Sequence, residues 1–458
     1  VIPEDRTLAT VNPRHAAFLI LNRIAKERSY ADILLDQELS HGAIKGLDRG
    51  LLTELVYGVL RRQGTLDHVI SQFSSVRIDR IERSVLILLR LGLYQLMFLD
   101  RVPVSAAVNE TVKLTKILAP KAPGFVNAVL READRKRDAI AWPNKGQNQA
   151  EWIAARHSVP QWIAKVWLDQ LGPEEAERLA EAMSEAPPLT IRTNTLKNSR
   201  DQLLETLATE EVPATPCRYS PLGIQISSRT PLTALNSYQQ GLFTIQDESS
   251  QLAALILDPT PGDRILDVCA APGGKATCIA ELMGNSGEVV ACDSNPRRLV
   301  QVQQLAKRLG TGIVGAVVMD AEKPFASSLV NSFHKVLVDA PCSGLGVLRR
   351  NPEGKWWKSP SDIEALVQRQ RLILANASSA VAPGGVLIYS TCSTTTQENE
   401  FIVDDFLSSH NSFMLEDIRF LHPQFATLCS KNGHFRPWPH RHGMDGFFAA
   451  RLRRQEKS

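Results

Sequence analysis

Apolar positions recur at helical spacing over residues 11–137, whereas from residue 241 onward short apolar runs alternate with helical segments. In the first region Leu51, Leu52, Leu55, Val56, Val59 and Leu60 form one stripe. Val104, Val108 and Val112 form a second, with Ser105 placed to cap it, and Phe125, Val126, Val129, Leu130 and Ala133 form a third. Residues three and four apart share a helix face, so the pattern predicts a bundle closed around these stripes. Its polar sides carry Arg61, Arg62, Lys113, Lys116, Arg131, Arg135, Lys136 and Arg137, candidates for phosphate contacts.

The period fails over residues 139–150, where Pro143, Asn144, Gly146, Gln147 and Asn148 read as a linker. Helices resume from Trp152 to about Glu185 and stop at Pro187 and Pro188. A small α/β subdomain follows, with strands at 189–193 and 223–226 and a helix at 202–209. Further on, strands are expected at 264–269, 288–293, 313–320, 335–340 and 385–391, with helices at 296–309 and 362–382 and a closing strand at 446–452. That rhythm predicts a doubly wound parallel sheet. The expected domains are therefore 1–140, 151–240 and 241–458.

Composition changes this picture little. The 458 residues include 43% apolar and 22% charged positions, which excludes a disordered chain and leaves ample material for several cores. The longest apolar run, residues 85–99, is broken by Arg90 and too short for a bilayer, and Arg14 and Arg23 break any leader-like stretch. Seven cysteines without a C-x-x-C pair argue against a disulfide framework and for a reducing, cytoplasmic setting. The net charge of +3 is uneven: residues 1–145 hold 22 Lys/Arg against 16 Asp/Glu, leaving the remainder acidic. A basic front suits a phosphate-rich partner, and a solvated basic face explains it as well.

The candidate chemistry begins at residues 265–275, Ile-Leu-Asp-Val-Cys-Ala-Ala-Pro-Gly-Gly-Lys, which read as strand, tight loop and helix start. The glycines do not follow G-x-G-x-x-G and nothing matches G-x-x-x-x-G-K-[ST], so an adenosyl ligand without phosphates fits better than a dinucleotide or a triphosphate. Asp293, Asp320 and Asp339 are expected at the ends of later strands, facing the same crevice. Asp293 is placed to accept from ribose hydroxyls and Asp320 from an adenine amino group. Two strands also run into cysteine, Cys342 in Asp-Ala-Pro-Cys-Ser-Gly and Cys392 in Tyr-Ser-Thr-Cys-Ser. Carbon 5 of cytosine becomes nucleophilic only after addition at carbon 6, which a thiolate supplies, and a second thiol can assist its departure.

These motifs resemble the Sun/Fmu family of bacterial small-subunit (16S) ribosomal RNA cytosine-C5 methyltransferases. The resemblance rests on QDESSQ at 246–251, LDVCAAPGGK at 266–275, DAPCSGLGVLRRNPEGKWW at 339–357 and YSTCSTTTQENE at 389–400, together with Asp293 and Asp320. LDRGLLTELVYGVLRRQGTLD at 47–67 resembles a NusB-like RNA-binding domain, and PHRHGMDGFFAARL at 439–452 resembles the family's closing hairpin. The resemblance implies a multidomain chain: an all-α NusB-like N-terminal domain, a small α/β subdomain and a Rossmann-like class I S-adenosylmethionine-dependent methyltransferase domain. It implies Cys392 as nucleophile, Cys342 in product release, Asp339 at the polar edge of cytosine near N3, and Lys275 positioning the base and offsetting charge. Cys269, Ala270, Ala271, Pro272, Gly273, Gly274, Lys275, Asp293, Arg298, Asp320 and Asp339 would hold S-adenosylmethionine, with no metal. The implied substrate is 16S ribosomal RNA, free or in a partly assembled small subunit, met by a monomer with no DNA or membrane partner. Met319, where Gly is common, and Gly354, inside a familiar Pro-x-x-Lys-Trp stretch, depart from the family pattern.

Other readings predict other patterns. A DNA cytosine-C5 methyltransferase uses the Pro-Cys thiol and needs no Thr-Cys, so the presence of both favours RNA; transfer RNA is the alternative substrate within that class. A noncatalytic NusB-like RNA-binding factor would make both thiols and three acids relics. Cys429, His434, His440 and His442 match no standard zinc spacing, and a loop bringing Arg436, Trp438 and Arg441 to RNA explains the cluster more simply.

Overall fold

The computed structural model describes residues 12–227 and 231–456; position 11, where the helical period begins, lies outside them. The chain forms two compact units, Val1–Ala186 with Leu348–Trp357, and Pro187–Val347 with Lys358–Ser458.

In the first unit α1 (Pro13–Glu27) starts where Asn12 accepts the Arg14 amide at 2.9 Å and Pro13 occupies the first turn. There follow α2 (Ala31–Ser40), α3 (Leu47–Phe73), α4 (Arg83–Phe98), α5 (Val104–Leu118), α6 (Pro123–Arg135), α7 (Gln149–His157), α8 (Gln161–Leu171) and α9 (Pro173–Met183). The stripe on α3 is buried from Leu52 to Leu60, with Leu51 only partly covered, and Gly58 leaves room for the Tyr94 ring, which a Cβ would meet at 2.0 Å. The expected cap on α5 is corrected: the helix starts at Val104, two residues early, because Pro103 enters with a fixed φ and its carbonyl takes the Ala107 amide. Ser105 therefore lies inside the first turn, and Val104 is exposed.

Leu348–Trp357, inside a motif of the C-terminal half, completes this helical unit. Glu353 accepts the Ala31 amide at the start of α2 at 3.0 Å, and Lys355 donates to the Arg61 carbonyl at 2.9 Å. Burial, then the charges of Arg62 and Arg61, pushes the Lys355 ammonium down to about 7. Arg61 lies over the Tyr57 ring and donates to the Arg349 carbonyl, and Arg62 lies over Phe98 and pairs with Glu185. Both arginines are thus engaged within the unit. Lys113, Lys116, Arg131, Arg135, Lys136 and Arg137 stay on its exposed surface.

The second unit holds two sheets. The smaller combines β1 (Leu189–Thr193), β2 (Ala214–Pro216), β3 (Gly223–Ile226) and β4 (Phe243–Ile245) in the antiparallel order β2-β3-β1-β4. Helix α10 (Arg200–Thr209) covers it through Leu203 and Leu207 and begins in a capping box of Ser199 and Gln202. The short strands β2 and β4, three residues each, carry too little alternation to be read from sequence.

The larger sheet contains β5 (Arg264–Val268), β6 (Glu288–Asp293), β7 (Val314–Val318), β8 (Phe333–Asp339), β9 (Val381–Thr391), β10 (Phe413–Glu416) and β11 (Phe448–Arg454), in the order β10-β11-β9-β8-β5-β6-β7. The short α11 (Asn236–Gln239) packs Tyr238 on the smaller sheet, and the larger sheet carries α12 (Glu248–Ile256), α13 (Gly274–Leu282), α14 (Pro296–Leu309), α16 (Pro360–Ser378) and α17 (Glu400–Ser409); the single turn α15 (Gly354–Trp357) belongs to the first unit. Strands β5 to β9 run parallel, while β11 pairs antiparallel with both β9 and β10. The parallel sheet expected from the rhythm holds for β5 to β9, and antiparallel β10 and β11 make the whole sheet mixed. The closing strand starts at Phe448 because the Asp445 amide donates to Asp247 and the Gly446 amide to the Gly346 carbonyl rather than to a neighbouring strand, and Val381 pairs with Phe333, so the helix expected to reach 382 ends at Ser378. The chain winds outward from β5 through β6 to β7, then resumes on the other side with β8 and β9. That reversal opens a crevice over the carboxyl ends of β5 and β8.

Candidate active site

Above the end of β5 the backbone turns with Cys269 at φ 63° and Gly273 at φ 104°. The Ala270 amide donates to the Cys292 carbonyl at 2.7 Å and the Gly273 amide to Ala270 at 2.8 Å, which fixes the loop at both ends. Glycine is required at 273, where a Cβ would meet Val302 at 3.1 Å and the φ disfavours any side chain. At the end of β6 the buried Asp293 accepts the Asn295 amide at 2.9 Å. Arg298 lies 3.4 Å from Asp293 and donates to the Ala271 carbonyl at 2.7 Å, so it braces the loop against that acid. Asp320 is the more open acid: it lies two residues past edge strand β7, one residue after Met319, whose amide donates to the Asp293 carbonyl at 3.1 Å; it is 42% exposed, accepts the Glu322 amide and pairs with Lys323.

Asp267, fully buried below the loop, is reached by no side-chain donor, and its burial, reinforced by the Asp339 charge, pushes its carboxyl up to about 8. A buried acid beneath a glycine cradle, met by the Ala276 amide and by no side-chain donor, fits a ligand that brings donor and cationic groups, as S-adenosylmethionine does.

Across the crevice the Lys275 ammonium lies 2.6 Å from Asp339, which also accepts from Ser390 Oγ at 3.1 Å, and 5.1 Å from the centre of the Phe447 ring. Burial works against the lysine charge, but Asp339, Asp267 and Cys392 outweigh it and hold the ammonium above its ordinary value. Beside this pair the sulfurs of Cys342 and Cys392 are 3.2 Å apart, both half-buried. Two thiolates at that spacing would repel by about 5 kcal/mol at an effective dielectric of about 20, so one sulfur keeps its proton and donates to the other. The hydrogen bond to Cys392, then burial, raises Cys342 well above the ordinary thiol value. Elsewhere burial pushes Cys269, Cys292 and Cys429 up to about 12 and Cys278 to about 11, which keeps them as unreactive thiols.

The sequence reading missed the residues that hold these walls. Arg192 of β1 is fully buried against Glu281, with nitrogen to oxygen distances of 2.8 and 3.1 Å, and donates to the Gly274 carbonyl, Thr277 and Gln246. The smaller sheet thereby locks the first turn of α13. The one signal was a charge inside a short apolar strand. Gly346 donates its amide to the Cys392 carbonyl at 2.8 Å, in a space where a Cβ would meet the Gly446 carbonyl oxygen at 2.1 Å. Arg436 and Trp438, expected to meet RNA, are buried instead; Arg436 donates to the Ser393 and Thr394 carbonyls at 3.1 and 2.9 Å and so clamps the loop after Cys392. Cys429 donates to the Phe425 carbonyl and His442 takes the Trp438 amide; among the described residues no three metal-ligating side chains gather.

A family model for the 16S rRNA methyltransferase RsmB/F matches residues 254–453, one for the NusB family matches 11–135, and one for the ferredoxin-like domain of RsmF/B-like methyltransferases matches 159–233. The probable ribosomal RNA small subunit methyltransferase B of Synechocystis sp. is 36% identical over 450 residues, 97% of this chain and 100% of the relative. The chain belongs to the ribosomal RNA small subunit methyltransferase B family. A relative of the same name from Bacillus subtilis is 35% identical and covers 96% of this chain and 98% of its own. NSun6 from Pyrococcus horikoshii, solved with SFG, superposes with a TM-score of 0.58 at 26% identity, over 65% of this chain and 99% of that one. As in the RsmB/F family, a helical NusB region, a ferredoxin-like subdomain and a Rossmann-like methyltransferase region follow one another. No helix among the described residues is long and apolar enough to cross a membrane.

Proposed function

We propose that this protein methylates carbon 5 of a specific cytosine in 16S ribosomal RNA, with Cys392 as nucleophile. The observation that carries the reading is the pair of sulfurs 3.2 Å apart, beside Lys275 and Asp339 and across the crevice from the glycine loop. The cofactor is S-adenosylmethionine, which supplies an electrophilic methyl group. Residues 269–275 with Asp293 and Arg298 form its side of the crevice, and Asp320 reaches it from the rim.

The Cys392 thiolate adds to carbon 6, forming the sulfur–carbon bond and moving the double-bond pair towards carbon 5. Asp339 meets the N3 edge of the ring, and Lys275 offsets the charge that develops there. After carbon 5 is methylated, a base removes its proton, the freed pair re-forms the double bond and the Cys392 sulfur leaves. The Cys342 thiol, already in contact with that sulfur, assists the departure. A cytosine in a loop or bulge reaches the crevice at an unstacking cost of about a few kcal/mol.

In this reading residues 1–140 bind RNA through exposed cations such as Lys113 and Lys116, 151–240 connect, and 241–458 catalyse. The protein acts as a cytoplasmic monomer on free RNA or a partly assembled subunit. Nucleoside mass spectrometry after incubation with S-adenosylmethionine and 16S RNA should find 5-methylcytidine with the wild type and none with Cys392→Ala. Transfer to another base, persistence in Cys392→Ala, or preference for transfer RNA would contradict the proposal.

A further inference from the structure

Glu398 belongs to a motif quoted above, yet neither the cofactor side nor the addition step uses it. Its side chain is fully buried and both oxygens are occupied by donors. Oε1 takes the Ser343 amide at 2.7 Å and Gln370 Nε2 at 3.1 Å; Oε2 takes the hydroxyls of Ser343 at 2.6 Å, Thr395 at 2.9 Å and Ser393. Ser343 directly follows Cys342 and Ser393 directly follows Cys392, so one carboxylate ties both cysteine loops. Gln370 extends the tie to the Pro341 carbonyl at 2.9 Å. Five donors suit a group that only accepts, the Ser343 and Ser393 hydroxyls also meet each other at 3.0 Å, and rotating either loop would leave a buried hydroxyl or amide unpaired.

The charges around the sulfurs are unequal. Lys275 acts on Cys392, while Glu398 acts on Cys342. Asp339 and Asp267 lie on the lysine side, Tyr389 faces Cys342, and Arg436 with Glu400 stands behind Glu398. A negative group beside one sulfur and a positive one beside the other sort the single shared proton between them.

We propose that Glu398 is the positioning residue of the thiol pair: it sets the two sulfurs in contact through Ser343 and Ser393, and its charge keeps the proton on Cys342 so that Cys392 holds the nucleophilic pair. The inference rests on the reading of Cys392 as nucleophile, but it is testable without RNA or methyl transfer. Limited alkylation with iodoacetamide, resolved by peptide mass spectrometry across a pH series, reports which sulfur reacts first. In the wild type Cys392 should react about tenfold faster than Cys342 near neutral pH. Glu398→Gln keeps the shape and removes the charge, so the preference should fall to about onefold, while kcat for methyl transfer drops about 100-fold and KM for S-adenosylmethionine stays within about twofold. Glu398→Asp keeps the charge on a shorter stem, so the labelling preference should survive while kcat falls about tenfold. A Gln variant that still labels Cys392 first, an Asp variant that labels both sulfurs equally, or a wild type that labels Cys342 first would overturn the proposal. A wild type that labels as expected but transfers no methyl group would instead overturn the functional reading and leave the role of Glu398 standing.

Discussion

The glycine-loop wall, which the proposed function gives to the cofactor, and the thiol wall of the crevice are built differently. Residues 264–275 make most of the first: one strand, one loop held by backbone hydrogen bonds, one helix start, with Asp293 and Arg298 set against it from the next βα unit and Arg192 of β1 braced behind it. The second is gathered from 339–346, 370, 390–398 and 436, and its sulfurs stand where they do because buried side chains hold two loops together. Backbone geometry tolerates side-chain change, whereas a polar network fails when one partner is lost. Cofactor binding and chemistry should therefore respond to separate substitutions.

The largest expected effect falls behind the cofactor wall. Arg192→Met leaves Glu281 as a buried charge without its partner, and chemical denaturation should show a loss of about 3–5 kcal/mol. A loss below about 1 kcal/mol would show that the smaller sheet does not anchor α13. Next, Gly346→Ala pushes a methyl group into the backbone next to Cys392; kcat should fall about 100-fold while calorimetry finds cofactor affinity nearly unchanged. Asp293→Ala should do the opposite, weakening S-adenosylmethionine about tenfold and leaving the reactivity of Cys392 as it was. If both substitutions hit binding and chemistry alike, the walls are not separable.

The most gradual effect, small over any one pH unit, is a pH dependence. The Asp267 carboxyl is raised to about 8 in the fold, while in the unfolded chain it titrates near its usual value of about 4. Between those values the folded state holds the extra proton, so this contribution to stability is full below about pH 4, declines as pH rises and is spent above about pH 8. Melting curves of the ligand-free protein should show this decline, with a slope of up to about 1.4 kcal/mol per pH unit, and Asp267→Asn should flatten it.

This contrast also explains what could be read from sequence. The shape of the glycine loop was legible because strand, small residues and helix start follow in one stretch, and Asp293 ends the next strand at the expected place. The helical stripe of α3 was legible for the same reason, since side chains three and four apart meet wherever the helix packs. Glu398, Gln370 and Arg436 were not, because whether a polar side chain is buried depends on donors and acceptors far away in the chain. Arg436 was misread for that reason: a loop arginine among aromatic residues has the composition of an RNA contact, and only the carbonyls of Ser393 and Thr394 show where it points. Likewise Leu348–Trp357 reads as part of a catalytic motif, yet its Glu353 and Lys355 are spent on the helical unit.

The central claim, that the two sulfurs divide nucleophile and release between them, is tested most directly by trapping the covalent step. Wild type, Cys342→Ala, Cys392→Ala and the double variant, each incubated with S-adenosylmethionine and small-subunit RNA, would be run on denaturing gels for a protein–RNA adduct. The account predicts an adduct that accumulates with Cys342→Ala, where addition proceeds and departure stalls, and that disappears in the double variant. An adduct formed by Cys392→Ala instead would reverse the two roles and contradict it.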